Sequence, residues 1–313
     1  MLTRRQTLSL AAPALVAGLS SPGLSSSAQA AGVLRVAYAG AMGAVMDRGV
    51  GPEFAKQAGV SYQGIGQAAF ALAHLLVSRQ LQADVFVPIT APPFEIVRRA
   101  GLAPRAVPVA GTEMCIAYSP KSRFAKLLEA AAAGHRPWYE VLRTPGLRFG
   151  RTDPRIDPQG QNILFTLLLA ERYYHQPGLA RALLGPVLNP AQIFTEPSLL
   201  ARLDAGQIDA SSGYLSAVRS QRLPFIPLPK EINLGDPAEF DPWYSKVHAR
   251  LKMANGKAKT ISPQPLVFYA AALTDAATPA LAARFVDFLA GAEGQKIFAA
   301  YGYGPPRGPV LSS

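Results

Sequence analysis

Three stretches of this chain place glycine between an extended apolar run and a helical pattern. They are Tyr38-Ala39-Gly40-Ala41-Met42, Gln63-Gly64-Ile65-Gly66-Gln67, and Phe149-Gly150 continuing to Gly160-Gln161. Glycine lets the backbone turn sharply and approach a ligand closely. A helix start just beyond it presents unpaired N–H groups and the positive end of the helix dipole. Several such starts aimed at one point hold an anion without any cationic side chain. Plain loop chemistry explains any one junction alone; three together point to a ligand cleft. Gln67 at a helix start, Tyr214 at a strand end, and either Ser211 or Ser212 are candidate donors, the serines pointing to opposite faces of one strand. Arg151 and Thr152 follow another strand end and rank lower. Asp157 in Asp157-Pro158-Gln159-Gly160 either bonds its own turn or faces the ligand.

Arrangements for catalysis are missing. The four histidines, His74, His135, His175 and His248, have no metal-ligand spacing, and no nucleophile elbow or phosphate loop occurs. Gly64-Ile65-Gly66 lacks the third glycine of a dinucleotide fingerprint. The expectation is a binding protein with no cofactor and no metal, not an enzyme. The single cysteine, Cys115, excludes an internal disulfide and sits in the apolar run MCIAY, which suits a buried thiol.

The elements that must position these residues alternate. Leu34–Tyr38, Val60–Gln63, Ala83–Val87, Met114–Tyr118, Leu147–Gly150, Ile208–Ser212, Pro224–Leu228 and Pro265–Leu273 read as strands. Helical spacing is predicted over about Gln67–Gln80, Pro93–Ala100 and Gln161–Tyr174, from Glu196 to near Gly206, and after Thr278-Pro279. Strands separated by helices imply an α/β fold with largely parallel sheets, whose ligands sit beyond the strands' carboxyl ends. The 27 glycines and 28 prolines fit many short turns and argue against a helical bundle.

Residues 1–30 read as an export signal. Arg4-Arg5 precedes the apolar run Leu8–Leu19, and Ala28-Gln29-Ala30 offers a small-x-small cleavage site. The paired arginines suit a twin-arginine signal, with an ordinary secretory signal as the alternative. The chain carries 31 Lys+Arg against 20 Asp+Glu, a net +11, which falls to +9 without Arg4 and Arg5. That sign suggests an anionic partner. The arginines are scattered and no basic block is interleaved with aromatics, so no nucleic-acid partner is expected.

With these pieces placed, the chain resembles the periplasmic solute-binding proteins of ABC importers, especially the molybdate/tungstate-binding group. Leu34–Gly40 (LRVAYAG), Asp153–Tyr174, Gly206–Val218 with Leu228–Val247 (LPKEINLGDPAEFDPWYSKV), and Phe285–Gly302 carry the likeness. It implies a two-lobe type II periplasmic-binding-protein fold, each lobe a mostly parallel sheet flanked by helices, joined by a two-strand hinge. Lobe one would hold 33–115 plus 265–313 and lobe two 118–262, with hinge strands near Cys115–Tyr118 and Ser262–Leu266. It further implies a periplasmic monomer that closes on a small oxyanion and docks on an inner-membrane ABC permease. The group's usual donors are altered: Ala41 and Gln67 stand where it carries serines, and Gly213 where its tungstate branch carries an acid. Asp157 and Tyr214 keep their places. Either the backbone with Gln67, Ser211, Ser212 and Tyr214 holds the same anion, or the ligand is another: a sulfur or phosphorus oxyanion, or a carboxylate. A sensor role or an exported enzyme on the same fold are the remaining alternatives.

Overall fold

The computed structural model describes residues 32–253 and 256–312. The expected export signal lies outside them.

The chain builds one sheet, leaves it, builds a second, and returns. Strands β1 (Val33–Ala39), β2 (Ser61–Gln67), β3 (Val85–Val87) and β4 (Arg105–Gly111) enter the first sheet. Strands β5 (Met114–Tyr118), β6 (Phe149–Gly150), β7 (Ala210–Tyr214) and β8 (Phe225–Ile226) form the second. A separate hairpin, β9 (Ala249–Lys252) with β10 (Ala258–Ile261), precedes the return through β11 (Val267–Ala272) and β12 (Leu311–Ser312). The first sheet has the order β12-β4-β11-β3-β1-β2 and the second β6-β7-β5-β8. In the first, β11 and β12 oppose the other four strands; in the second, only β5 is reversed. This is an α/β fold with sheets flanked by helices.

The helices are α1 (Gly43–Val45), α2 (Gly51–Ala58), α3 (Ala69–Val77), α4 (Ala91–Arg99), α5 (Ala125–Ala132), α6 (Trp138–Leu142), α7 (Pro158–Tyr173), α8 (Leu179–Leu184), α9 (Glu196–Asp204), α10 (Leu215–Ser220), α11 (Pro279–Ala290) and α12 (Ala292–Ala300). Alternation along β1 sorts them onto two faces. Ala37 packs with Leu72 and Leu76 of α3 and Phe94 and Val97 of α4. Leu34, Val36 and Tyr38 face Phe54 of α2, Phe285 and Leu289 of α11, and Phe298 of α12. Burial on both faces explains why strands such as Val85-Phe86-Val87 are uniformly apolar.

The chain crosses between sheets twice. The first crossing is Thr112-Glu113, between β4 and β5, so Cys115–Tyr118 lies wholly inside the second sheet. The second runs from Ser262 to Leu266. The two are tied together: Thr112 N–H donates to the Leu266 carbonyl at 3.0 Å. The loop Asn233-Leu234 ties both, since its carbonyls accept from Met114 N–H at 2.7 Å and Leu266 N–H at 2.8 Å. Leu234 is fully buried with φ +62°, a left-handed conformation that leucine adopts at about 1–2 kcal/mol.

One local expectation is corrected. Gly64 and Gly66 are not a turn: β2 continues through them to Gln67. Their missing side chains make room for a neighbour. A Cβ on Gly66 would lie 2.7 Å from the Tyr38 ring, and one on Gly64 would strike the Asp47 carboxylate and the Tyr38 ring.

Candidate functional site

Five helix starts open onto one cleft of about 950 Å³. The residue preceding each helix lines it: Ala39 before the short turn Gly40–Met42, Ala68 before α3, Asp157 before α7, Thr195 before α9 and Tyr214 before α10. The first two belong to the first sheet and the last three to the second. At three of the five, no side chain caps the first turn. Those turns carry backbone donors that helix geometry leaves without intrahelical acceptors. Asp157 caps α7, its carboxylate accepting from Gln159 N–H at 2.8 Å. At α10 the first donors are taken internally: Leu215 N–H donates to the Glu113 carbonyl at 2.8 Å and Ser216 N–H to Thr112 Oγ1 at 3.2 Å.

The sequence explains the α7 start. Pro158 takes the first helical position, where no N–H is needed, and Asp157 caps it. Gly160 lets the preceding loop pass close, since a Cβ there would sit 2.5 Å from the Thr152 carbonyl oxygen. The loop is braced by Arg155, whose guanidinium and backbone N–H both donate to Asp153. Burial pushes the Asp157 carboxyl above the ordinary carboxylate range, against the opposing pull of the Gln159 N–H.

Of the residues singled out in the sequence, Ala41, Gln67, Asp157 and Tyr214 all line the cleft. Gln67 is exposed as the last residue of β2. The Tyr214 side chain is buried, and its hydroxyl accepts from Asn162 Nδ2 at 3.0 Å. Ser211, Ser212, Arg151 and Thr152 lie outside the lining. Ser212 is buried and its hydroxyl donates to Gln159 Oε1 at 3.4 Å. Ser211 is fully buried, and its hydroxyl has no partner among the described residues. The Arg151 guanidinium is an internal strut, donating to the carbonyls of Pro186 and Val187 and to Gln192 Oε1. Burial lowers its pKa from the usual guanidinium value. Gly213 lies outside the lining, and a Cβ there would sit 2.8 Å from Val218 Cγ2, so any side chain at this position would displace Val218.

Two charged residues in the cleft wall escaped the sequence reading. Asp47 and Arg48 sit in a single π turn, Met46–Val50, a distortion frequent at functional sites. The Tyr38 hydroxyl donates to Asp47 at 2.6 Å and holds that carboxylate against β2. Arg48 is exposed, makes no hydrogen bond or ion pair with another described residue, and is the only Lys or Arg among the cleft-lining residues. The one sequence signal for the pair was an acid beside a base directly after the first βα turn.

Comparison with known proteins places this architecture. The chain belongs to the bacterial extracellular solute-binding protein family, whose sequence profile matches residues 34–304. It is 30% identical over 208 residues to the molybdate/tungstate-binding protein WtpA of Thermococcus kodakarensis, covering 60% of this chain and 57% of that protein. The WtpA of Pyrococcus abyssi is also 30% identical, over 209 residues, covering 60% and 58%. The chain thus spans less than two thirds of these relatives' length. Among solved structures, the periplasmic molybdate-binding protein of Azotobacter vinelandii superposes with a TM-score of 0.59 at 17% identity, covering 88% of this chain and all of that one. The sulfate-binding protein SubI of Mycobacterium tuberculosis superposes at 0.55 and 13% identity, covering 88% and 87%. At such identities the likeness is one of fold. No helix among the described residues is long and apolar enough to cross a membrane.

Proposed function

We propose that the protein is a periplasmic, non-enzymatic receptor that captures a small oxyanion between two lobes and delivers it to an ABC permease. Molybdate and tungstate are the first candidates, by kinship with the WtpA proteins. The observation that carries the reading is the convergence of five helix starts on one cleft, three without a side-chain cap. Uncapped N–H groups satisfy an anion's lone pairs and replace the hydration it loses on entering. Gln67 adds an amide donor, and Arg48 adds the positive charge that dipoles alone supply only in part.

Closure bends the two crossings, so the lobes divide where the chain changes sheet, at Thr112-Glu113 and Ser262–Leu266. Both turn serines of the related group are replaced, by Ala41 and Gln67. Asp47 and Asp157 put carboxylates in the wall, which favours a ligand able to donate a proton to them. A protonated phosphorus oxyanion or a small organic acid is therefore the second reading.

The test is a calorimetric and thermal-shift screen with molybdate, tungstate, sulfate, thiosulfate, phosphate and small carboxylates. A true ligand at about 100 times its dissociation constant adds about 2.7 kcal/mol of stability. A shift from none of the oxyanions at millimolar concentration overturns the reading; a shift from phosphate or a carboxylate alone selects the second.

A further inference from the structure

The β9–β10 hairpin stands apart from both sheets. From Asp241 to Asp275 the sequence has no other acid, yet it carries Lys246, Arg250, Lys252, Lys257 and Lys259, with His248 among them. All six are exposed. The strand register sorts their side chains. Paired residues of an antiparallel ribbon share a face, and the pairs are Arg250 with Thr260, Lys252 with Ala258, Leu251 with Lys259, and Ala249 with Ile261. Leu251 and Ile261 are buried in the main core, so their face points inward. The outward face therefore holds Arg250, Lys252, Ala258 and Thr260, all exposed. No ion pair ties Arg250, Lys252 or Lys259 to an acid among the described residues.

We propose that this outward face is an electrostatic docking surface for an anionic phospholipid bilayer. A protein partner of ordinary kind needs large apolar or aromatic anchors at the centre of its interface. The outer face has none: only cations, an alanine and a threonine. Exposed cations such as Arg250 and Lys252, with no apolar anchor beside them on that face, are what a layer of anionic headgroups attracts, and each cation adds to the adsorption. Lys259, on the inner face with Leu251, sets its Nζ 5.9 Å from the Phe70 ring centroid in the first turn of α3. The hairpin's inner side thus lies beside α3, and the outer face carrying Arg250 and Lys252 stays exposed. The proposal does not depend on which ligand the cleft takes.

The test is co-sedimentation of the protein with vesicles of phosphatidylcholine alone or with about one third phosphatidylglycerol, at about 0.02 M and about 0.3 M salt. The protein should partition onto anionic vesicles only, and at least about tenfold less at high salt. The variant R250Q/K252Q should lose about 30-fold in partitioning while keeping its melting temperature. Should that variant not fold, R250Q alone should still lose several-fold. A control of equal charge loss, R99Q/R136Q, removes exposed arginines elsewhere and should partition as the unmodified protein does. Equal loss in the control, unchanged binding in the hairpin variants, or no preference for anionic vesicles overturns the proposal. So does salt-sensitive binding to a membrane protein with none to vesicles.

Discussion

Arg48 is one side chain with two neighbours that explain its freedom. Tyr38 takes up Asp47, so the adjacent guanidinium is left unpaired in the cleft wall. A charge-assisted hydrogen bond contributes about 1.5–3 kcal/mol. Arg48→Gln should therefore weaken oxyanion affinity about 10- to 100-fold in calorimetry, with an unchanged melting temperature for the free protein. Arg48→Lys should recover part of the loss, since charge returns without the two-pronged geometry. Asp157 supplies a pH signature. Burial raises its carboxyl above the usual range, so the protein holds that proton to higher pH than a free aspartate does. Repulsion of an oxyanion then fades as pH falls through this titration, and affinity should rise with it, at higher pH than for a free aspartate. Asp157→Asn keeps the helix cap but should flatten that pH dependence. A rise of equal size in the variant would assign the titration to another group.

At the scale of elements, glycines decide how closely the pieces meet. Gly160 lies in the first turn of α7, and a Cβ there would press 2.5 Å from the Thr152 carbonyl oxygen and 2.7 Å from the Pro154 nitrogen, both backbone atoms. Gly160→Ala should cost about 1–3 kcal/mol in denaturant unfolding and displace the helix start from the cleft. Most of the element order was legible. Met114–Tyr118 is a strand with the bounds read from its apolar run, and α7, read from about Gln161, begins three residues earlier at Pro158, where Asp157 caps it. The misreading of β2 has a physical reason. Glycine signals a turn in local sequence, whereas Gly64 and Gly66 answer to Tyr38 and Asp47, which touch them only in the fold. Strand β4 went unread because Pro108 interrupts Arg105–Gly111, and its tolerance depends on a register shift opposite it, between Phe268 and Tyr269 of β11. The candidate site was half legible. Motif positions located Ala41, Gln67, Asp157 and Tyr214 on the cleft, while Arg48 belongs to no motif. The burial of Ser211 and Ser212 between layers could be seen only once the helices were placed.

At the scale of the molecule, charge and topology separate two tasks. The net +11 is spread over the chain; exposed cations gather on and beside the hairpin, whereas in the cleft wall Asp47, Asp157 and Asp204 accompany a single arginine. On the two proposals together, aimed backbone donors hold the ligand while the hairpin sets where the protein resides.

The two crossings also bear on how the chain matures. The second sheet is built from one uninterrupted stretch, Met114 to Ile226, whereas the first needs β11 and β12 from the far end of the sequence to pair with β4. Closing that long gap is entropically slower than pairing strands within the stretch. During refolding, the amides of β5 and β7 should gain protection in pulsed hydrogen exchange before those of β4 and β11. Simultaneous protection would mean that the two sheets form as one unit. In an exported chain the first sheet then stays open longest, with β3 and β4 lacking the partner that separates them, so it is the part a protease or a holding chaperone meets first.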